Sequence, residues 1–275
     1  AEGQGATSVQ RIGSTVYLVL AARLARGRGV MVGADEAAHL GSPRAFPEWV
    51  DYFSRVIDHE GVLLSAAGTS QVRMSVQGLS AHAGAAPEQG RNALLELAHQ
   101  LVQTKDVAAT VPGAQLNWTT ANAGTARNQI PERAEAGGDV RVMQADSNEK
   151  LLAALQAKVK ERPLIPDTIT TVTLEPLRPI YVAGDRGRAL ADLARDIYAE
   201  LDGRTLLMHP TTNGGTDAGF AGRSGKAAVL EGLGLAGWGY HARNEYIEID
   251  SIPPRLYLAS RMLIELGRRA HTASP

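Results

Sequence analysis

The chain has 275 residues, 44% hydrophobic and 21% charged, the balance of an ordinary globular protein long enough to bury a sizeable core. A net charge of -1 with no Lys/Arg run leaves no electrostatic footprint for nucleic acid or an anionic membrane surface. With no cysteine, disulfides, thiolate ligands and a cysteine nucleophile are excluded, so any metal is held by His, Asp and Glu, donors that suit zinc, manganese or cobalt.

Val16 to Arg26 has a helical pattern; its apolar run, Val16–Ala22, is too short to span a bilayer. Gly29–Gly33 reads as a short buried strand running into Ala34-Asp35-Glu36, and Val56-Ile57 as another leading to Asp58-His59-Glu60. Acids at the ends of buried strands lie where an open α/β sheet places its chemistry. The texture changes near Thr69. Gln71–Gln77 alternates as a strand, and Asn92–Val102 has the spacing of an amphipathic helix. Leu116–Thr120 and Ala134–Met143 read as strands, and Asp146 or Ser147 caps a helix carrying Leu151, Leu152, Leu155 and Val159. Thr168–Leu174 is a β-branched strand. This β-α-β-β-α-β order predicts a ferredoxin-like domain at 70–179, inserted into an α/β domain formed by 1–69 and 180–275. In the last stretch Arg188–Leu201 is an amphipathic helix, Asn213–Asp217 a loop, Ala227–Val229 a buried strand, and Arg255–Leu266 a helix started by Pro253-Pro254.

Four clusters carry candidate chemistry, each with a plainer reading beside it. Asp35-Glu36 also reads as a helix N-terminal turn, and Glu60 as a solvated loop acid. His241, in Gly237-Trp238-Gly239-Tyr240-His241, has glycines that allow close approach of a ligand. His82 is centred in Gly78-Leu79-Ser80-Ala81-His82-Ala83-Gly84, otherwise a strand-to-helix turn. Two acids and a His from separate strand ends are what an oxygen/nitrogen metal site needs, and an adjacent acid that binds no metal could act as general base.

Several motifs in order resemble one family: Ser80-Ala81-His82-Ala83-Gly84-Ala85-Ala86-Pro87-Glu88, Asn128-Gln129-Ile130-Pro131, Asp139-Val140-Arg141, Asn213-Gly214-Gly215-Thr216-Asp217-Ala218, and Gly239-Tyr240-His241 followed by Glu245-Tyr246. From about Val30 to Gly267 the chain is similar to the M20 metallopeptidases, most of all the glutamate carboxypeptidases of the carboxypeptidase G2 type. The resemblance implies a zinc-peptidase-like α/β domain with an inserted dimerisation and lid domain, two zinc ions per protomer, and a homodimer. It implies Glu36 and His241 as ligands of one zinc, Glu60 as a ligand of the other, and Asp35 as base. His82 would polarise the scissile carbonyl, often across the dimer, while Asn128, Arg141, Gly215 and Thr216 would hold the substrate's C-terminal carboxylate. The implied reaction is hydrolysis of the amide bond to a C-terminal amino acid, glutamate foremost, in a small peptide or acyl-amino acid. N-acyl amino acid deacylation and an inactive, ligand-binding dimer are the alternatives. No nucleic-acid or membrane partner is expected, and no compartment, cytoplasmic or periplasmic, is assigned.

Three departures accompany the resemblance. Asp35 stands where the family has Glu, one methylene longer. Ala37-Ala38-His39 replaces a small turn. The family's His-x-Asp ligands and its metal-bridging Asp have no counterpart, the first Asp being Asp35, so these ligands are expected upstream of Ala1 and the 275-residue chain is expected to bind metal weakly.

Overall fold

The computed structural model describes residues 61–272. The expected helix at Val16–Arg26, the strands at Gly29–Gly33 and Val56-Ile57, and the candidates Asp35, Glu36 and Glu60 lie outside the described residues. Two compact units are present: one takes in residues 61–64, 183–210 and 228–272, the other Ser65–Val182 and Thr211–Ala227. No described helix is long and apolar enough to cross a membrane.

In chain order the described strands are β1 (Gly61–Leu63), β2 (Ser65–Ala66), β3 (Gly68–Gln77), β4 (Ala81–His82), β5 (Ala114–Ala123), β6 (Gln129–Ile130), β7 (Arg133–Val142), β8 (Ile169–Arg178), β9 (Tyr181–Val182), β10 (Leu207–His209), β11 (Gly237–Trp238) and β12 (Tyr246–Ile247). The described α-helices are α1 (Ala93–Thr104), α2 (Ser147–Glu161), α3 (Asp185–Ala199), α4 (Ala218–Gly222) and α5 (Ile252–Thr272).

The unit of Ser65–Val182 and Thr211–Ala227 is built on an antiparallel four-stranded sheet in the order β5-β7-β3-β8. Its chain order, β3-α1-β5-β7-α2-β8, is that of a split β-α-β sandwich. Strand period explains the layering. Val72, Met74 and Val76 of β3, and Ala134, Ala136, Val140 and Val142 of β7, point to one face and are buried against Leu97 of α1 and Leu151, Leu155 and Val159 of α2. The opposite face carries Gln71, Arg73, Glu135, Asp139 and Arg141. Helix α1 starts at Asn92, whose side-chain oxygen accepts the N–H groups of Leu94 and Leu95 at 3.1 and 3.2 Å. The expected cap of α2 differs. Asp146 occupies the cap position, but its carboxylate pairs with Lys150 at 2.6 Å, and the Ser147 hydroxyl donates to the Pro112 carbonyl at 3.0 Å. The Lys150 hydrogen bond holds the Asp146 carboxyl below its ordinary range.

The other unit packs α3 and α5 around a parallel pair, β1 with β10, over a core of Val62, Ala191, Ala194, Ile197, Tyr198, Leu206, Leu258 and Met262. Strands β11 and β12 form an antiparallel hairpin. The strand expected at Ala227–Val229 is absent: those residues are irregular and largely exposed, and the nearest ladder contact is the bridge of Glu231 to Leu63. A short run of small apolar residues extends only where a ladder receives it.

Candidate functional site

The first group of candidates gathers at one end of the sheet. Arg141 lies near the end of β7, where its Cα pairs with Thr69 on one side and Gln115 on the other. Asp139, two residues earlier, shares its face of the strand. The guanidinium donates to Asp139 through Nε at 2.7 Å and Nη2 at 3.0 Å, and Nη1 lies 3.4 Å from the Asn213 carbonyl oxygen. The Asn213–Asp217 loop is carried past this end of the sheet by backbone bonds: Thr212 N–H donates to Ser65, and Ala67 N–H to Thr212. Gly215 has no room for a side chain, since a Cβ there would strike the Thr69 methyl and come within 3.3 Å of Arg141 Nη1. Bare backbone therefore approaches the guanidinium. Two loop donors serve the loop itself: Gly214 N–H goes to the Thr212 hydroxyl at 3.1 Å, and Ala218 N–H to the Thr216 hydroxyl at 3.2 Å.

A second group forms at the opposite end. Strands β4 and β6 pair Ala81 with Ile130 and His82 with Gln129, and Ala83 N–H donates to the Asn128 carbonyl at 2.9 Å. His82 and Asn128 therefore stand side by side, and with Ser80, Ala126 and Gln129 they line an open pocket of about 300 Å³. His82 Nδ1 accepts from Gly84 N–H at 3.1 Å and Ala85 N–H at 3.0 Å. With Nδ1 occupied as an acceptor, the neutral ring carries its proton on Nε2, where it is a donor.

These two groups are not one site within a chain. Arg133 pairs with Gln77 at one end of the β3–β7 ladder and Arg141 with Thr69 at the other. The steps from 133 to 141, at about 3.3 Å each, separate those ends by roughly 26 Å. Asn128 lies in the connection leading into Arg133, because Ala123 of β5 already pairs with Ala134. Within one chain, strand length puts Asn128 with His82 and leaves Arg141 with the glycine loop of Gly215 and Thr216.

His241, in the other unit, sits in the turn between β11 and β12 with a left-handed backbone, φ 63°, uncommon outside glycine and asparagine. The glycines before it are required by the hairpin itself. A Cβ at Gly237 would meet the Tyr246 carbonyl, and one at Gly239 would lie 2.8 Å from that of Asn244. Tyr240 donates to the Gly237 carbonyl at 3.0 Å, and burial raises its phenol above the ordinary range, helped by Glu245 and Glu248. Among the described residues no three His, Asp or Glu side chains converge as a metal site. Of the implied ligands, His241 is the one inside the described residues; imidazole and carboxylate donors together have the chemistry of a zinc site.

Two features escaped the sequence. The hold of Asp139 on Arg141 was signalled by the period of 2, which places residues two apart on one face. The Gly84 and Ala85 amides that fix His82 have no sequence signal beyond the motif.

The peptidase dimerisation domain profile matches residues 64–165. The chain is 38% identical over 209 residues to carboxypeptidase G2 of Pseudomonas sp., covering 76% of this chain and 50% of that protein. It is 42% identical over 74 residues to a p-aminobenzoyl-glutamate hydrolase homolog of Haemophilus influenzae, covering 26% of this chain and 18% of that protein. The chain thus spans at most half the length of these relatives. Among solved structures it is similar to a tripeptidase of Staphylococcus aureus (TM-score 0.60, 16% identity, 76% of this chain and 54% of that one). It is also similar to the aminopeptidase PepT of Bacillus cereus (TM-score 0.59, 20% identity, the same coverage of each). At such identities these two likenesses show the mixed α/β fold alone. Residues 64–165 are an M20-type peptidase dimerisation domain, and the similarity to carboxypeptidase G2 extends over 209 residues of the chain.

Proposed function

We propose that this chain is part of a metal-dependent hydrolase that cleaves the amide bond to a C-terminal amino acid, with glutamate preferred, and that works as a homodimer. The observation that carries the reading is Arg141, held by Asp139 against a loop that only glycine permits, which is a ready anchor for a substrate carboxylate. The similarity to carboxypeptidase G2 and to a p-aminobenzoyl-glutamate hydrolase homolog supports both the reaction class and glutamate.

Glu36, Glu60 and His241, with further ligands, would hold two zinc ions. A bound zinc supplies Lewis-acid polarisation of the carbonyl and a more acidic attacking water. Asp35 takes the proton from the attacking water and passes it to the leaving amine. The Nε2–H of His82 donates to the carbonyl oxygen as negative charge grows there. Asn128, beside His82, orients the substrate through its amide. Arg141, with Gly215 and Thr216 beside it, binds the carboxylate. The span of roughly 26 Å along β7 far exceeds one amino acid, so the His82–Asn128 pair that meets a substrate held by Arg141 comes from a second copy of the chain.

Mixed-dimer complementation in the full-length protein tests this reading. His82→Ala and Arg141→Ala each abolish hydrolysis of p-aminobenzoyl-L-glutamate. After exchange of protomers the mixture recovers about a quarter of wild-type activity, the statistical share of intact composite sites. No recovery despite verified protomer exchange would overturn the composite site. Equal cleavage of the substrate and its α-carboxamide would overturn the carboxylate anchor.

A further inference from the structure

We propose that Asp139 is a positioning residue that turns Arg141 so that it receives the substrate carboxylate end-on; this rests on the reading of Arg141 as the carboxylate anchor. A guanidinium has two edges able to bind a carboxylate with parallel hydrogen bonds: the side edge, Nε–H with one Nη2–H, and the end edge, Nη1–H with the other Nη2–H. In this structure the side edge is filled. Nε lies 2.7 Å from one Asp139 oxygen and Nη2 3.0 Å from the other. A substrate carboxylate therefore has the end edge, and that edge borders the Asn213–Gly215 backbone: Nη1 is 3.4 Å from the Asn213 oxygen and 3.3 Å from where a Cβ of residue 215 would stand.

The frame beneath this pair is rigid. Asp139 pairs with Gln71 and Asn117, and Arg141 with Thr69 and Gln115, so both residues sit on a central strand bonded on both sides. Their side chains are partly exposed, 29% for Arg141 and 41% for Asp139, so without Asp139 the long arginine chain would be free to sample other rotamers. Asp139 also has an opposing effect, because its negative charge repels an incoming carboxylate. The two effects predict opposite signs on its removal. If orientation dominates, loss of Asp139 weakens binding of a carboxylate ligand; if repulsion dominates, loss of Asp139 strengthens it.

The experiment measures, by calorimetry on the full-length protein, the affinity for the uncleavable sulfonamide N-phenylsulfonyl-L-glutamate and for its α-carboxamide. Wild type, Asp139→Ala, Asp139→Asn, Asp139→Glu and Arg141→Ala are compared. The expected result is a preference for the acid that falls by roughly tenfold in Asp139→Ala and Asp139→Asn, is partly restored in Asp139→Glu, and disappears in Arg141→Ala. The amide's affinity stays level throughout, which a general loss of structure would not allow. In nitrogen-15 spectra the Arg141 Nε–H resonance, slow to exchange in wild type, is lost to exchange in Asp139→Ala. An unchanged or increased acid preference in Asp139→Ala, with Arg141→Ala still abolishing it, would overturn the role of Asp139 and leave the anchor standing. No acid preference in wild type, or its survival in Arg141→Ala, would overturn the anchor and the positioning role together.

Discussion

Glu96 is fully buried on α1, and its carboxylate is met by three donors: Gln100 Nε2 at 2.6 Å, Leu164 N–H at 2.8 Å and Ile165 N–H at 2.7 Å. Because Gln100 also donates to the Val159 carbonyl of α2, one acid ties both helices and the loop before β8 together. Truncation would leave the Leu164 and Ile165 N–H groups and the buried Gln100 amide without this acceptor. Glu96→Ala is therefore expected to lower stability by about 2–4 kcal/mol, more than an ordinary surface change. Urea unfolding measures it, and a loss below about 1 kcal/mol would show that water replaces the carboxylate at no great cost. Nothing in the sequence marks Glu96 for this part. It falls on the inward stripe of an amphipathic helix, where the apolar pattern alone calls for Leu. By contrast His82 and Arg141 stood out in sequence, because motifs surround them, but the distance between them did not.

The contact of α3 with α5 has an electrostatic clasp at its rim. Arg261 donates to both oxygens of Glu200, at 3.0 and 2.8 Å, and the Tyr257 hydroxyl donates to the same carboxylate. The Arg261 bond first, then that of Tyr257, holds the Glu200 carboxyl below its usual 4.5. A folded-state value below the unfolded one means the clasp stabilises at neutral pH and fades as pH falls through the lowered value. Glu200→Gln should therefore lower the urea midpoint at pH 7, with the difference from wild type closing as the pH falls into the acid range below the usual 4.5. A gap unchanged between pH 7 and pH 3 would mean that the clasp acts through shape alone. Elements of this kind were partly legible. The period of 2 in Gln71–Gln77 foretells β3 and its buried face; the helical spacing in Asn92–Val102 foretells α1 but not its face, since Ala93, Glu96, Leu97, Gln100 and Thr104 are buried while Leu94 and Val102 are exposed. Ala227–Val229 misled, since a short apolar run reads as a strand whether or not a partner strand exists. The N-terminus of α2 misled in detail, because Lys150, one turn along, competes with the backbone for the Asp146 carboxylate.

At the scale of the molecule, the dimerisation domain and the two separated groups both support the proposed site shared between two copies. Hydrolysis per chain should then hold level on dilution until the dimer dissociates, and fall with the dimer fraction below that point. Activity and sedimentation followed through one dilution series check this; activity per chain that persists in monomers would count against it. The paired strands β3 and β7, ten residues each, run between the two groups and set their spacing. Such a pair works as a ruler whose length evolves only in even increments. One added residue turns every following side chain to the other face, trading Asp139 and Arg141 for core positions. Two added to one strand alone break the ladder. A lineage that lengthens this sheet must therefore extend both strands together, by two residues at a time, or leave the ruler untouched and vary only the loops at its ends.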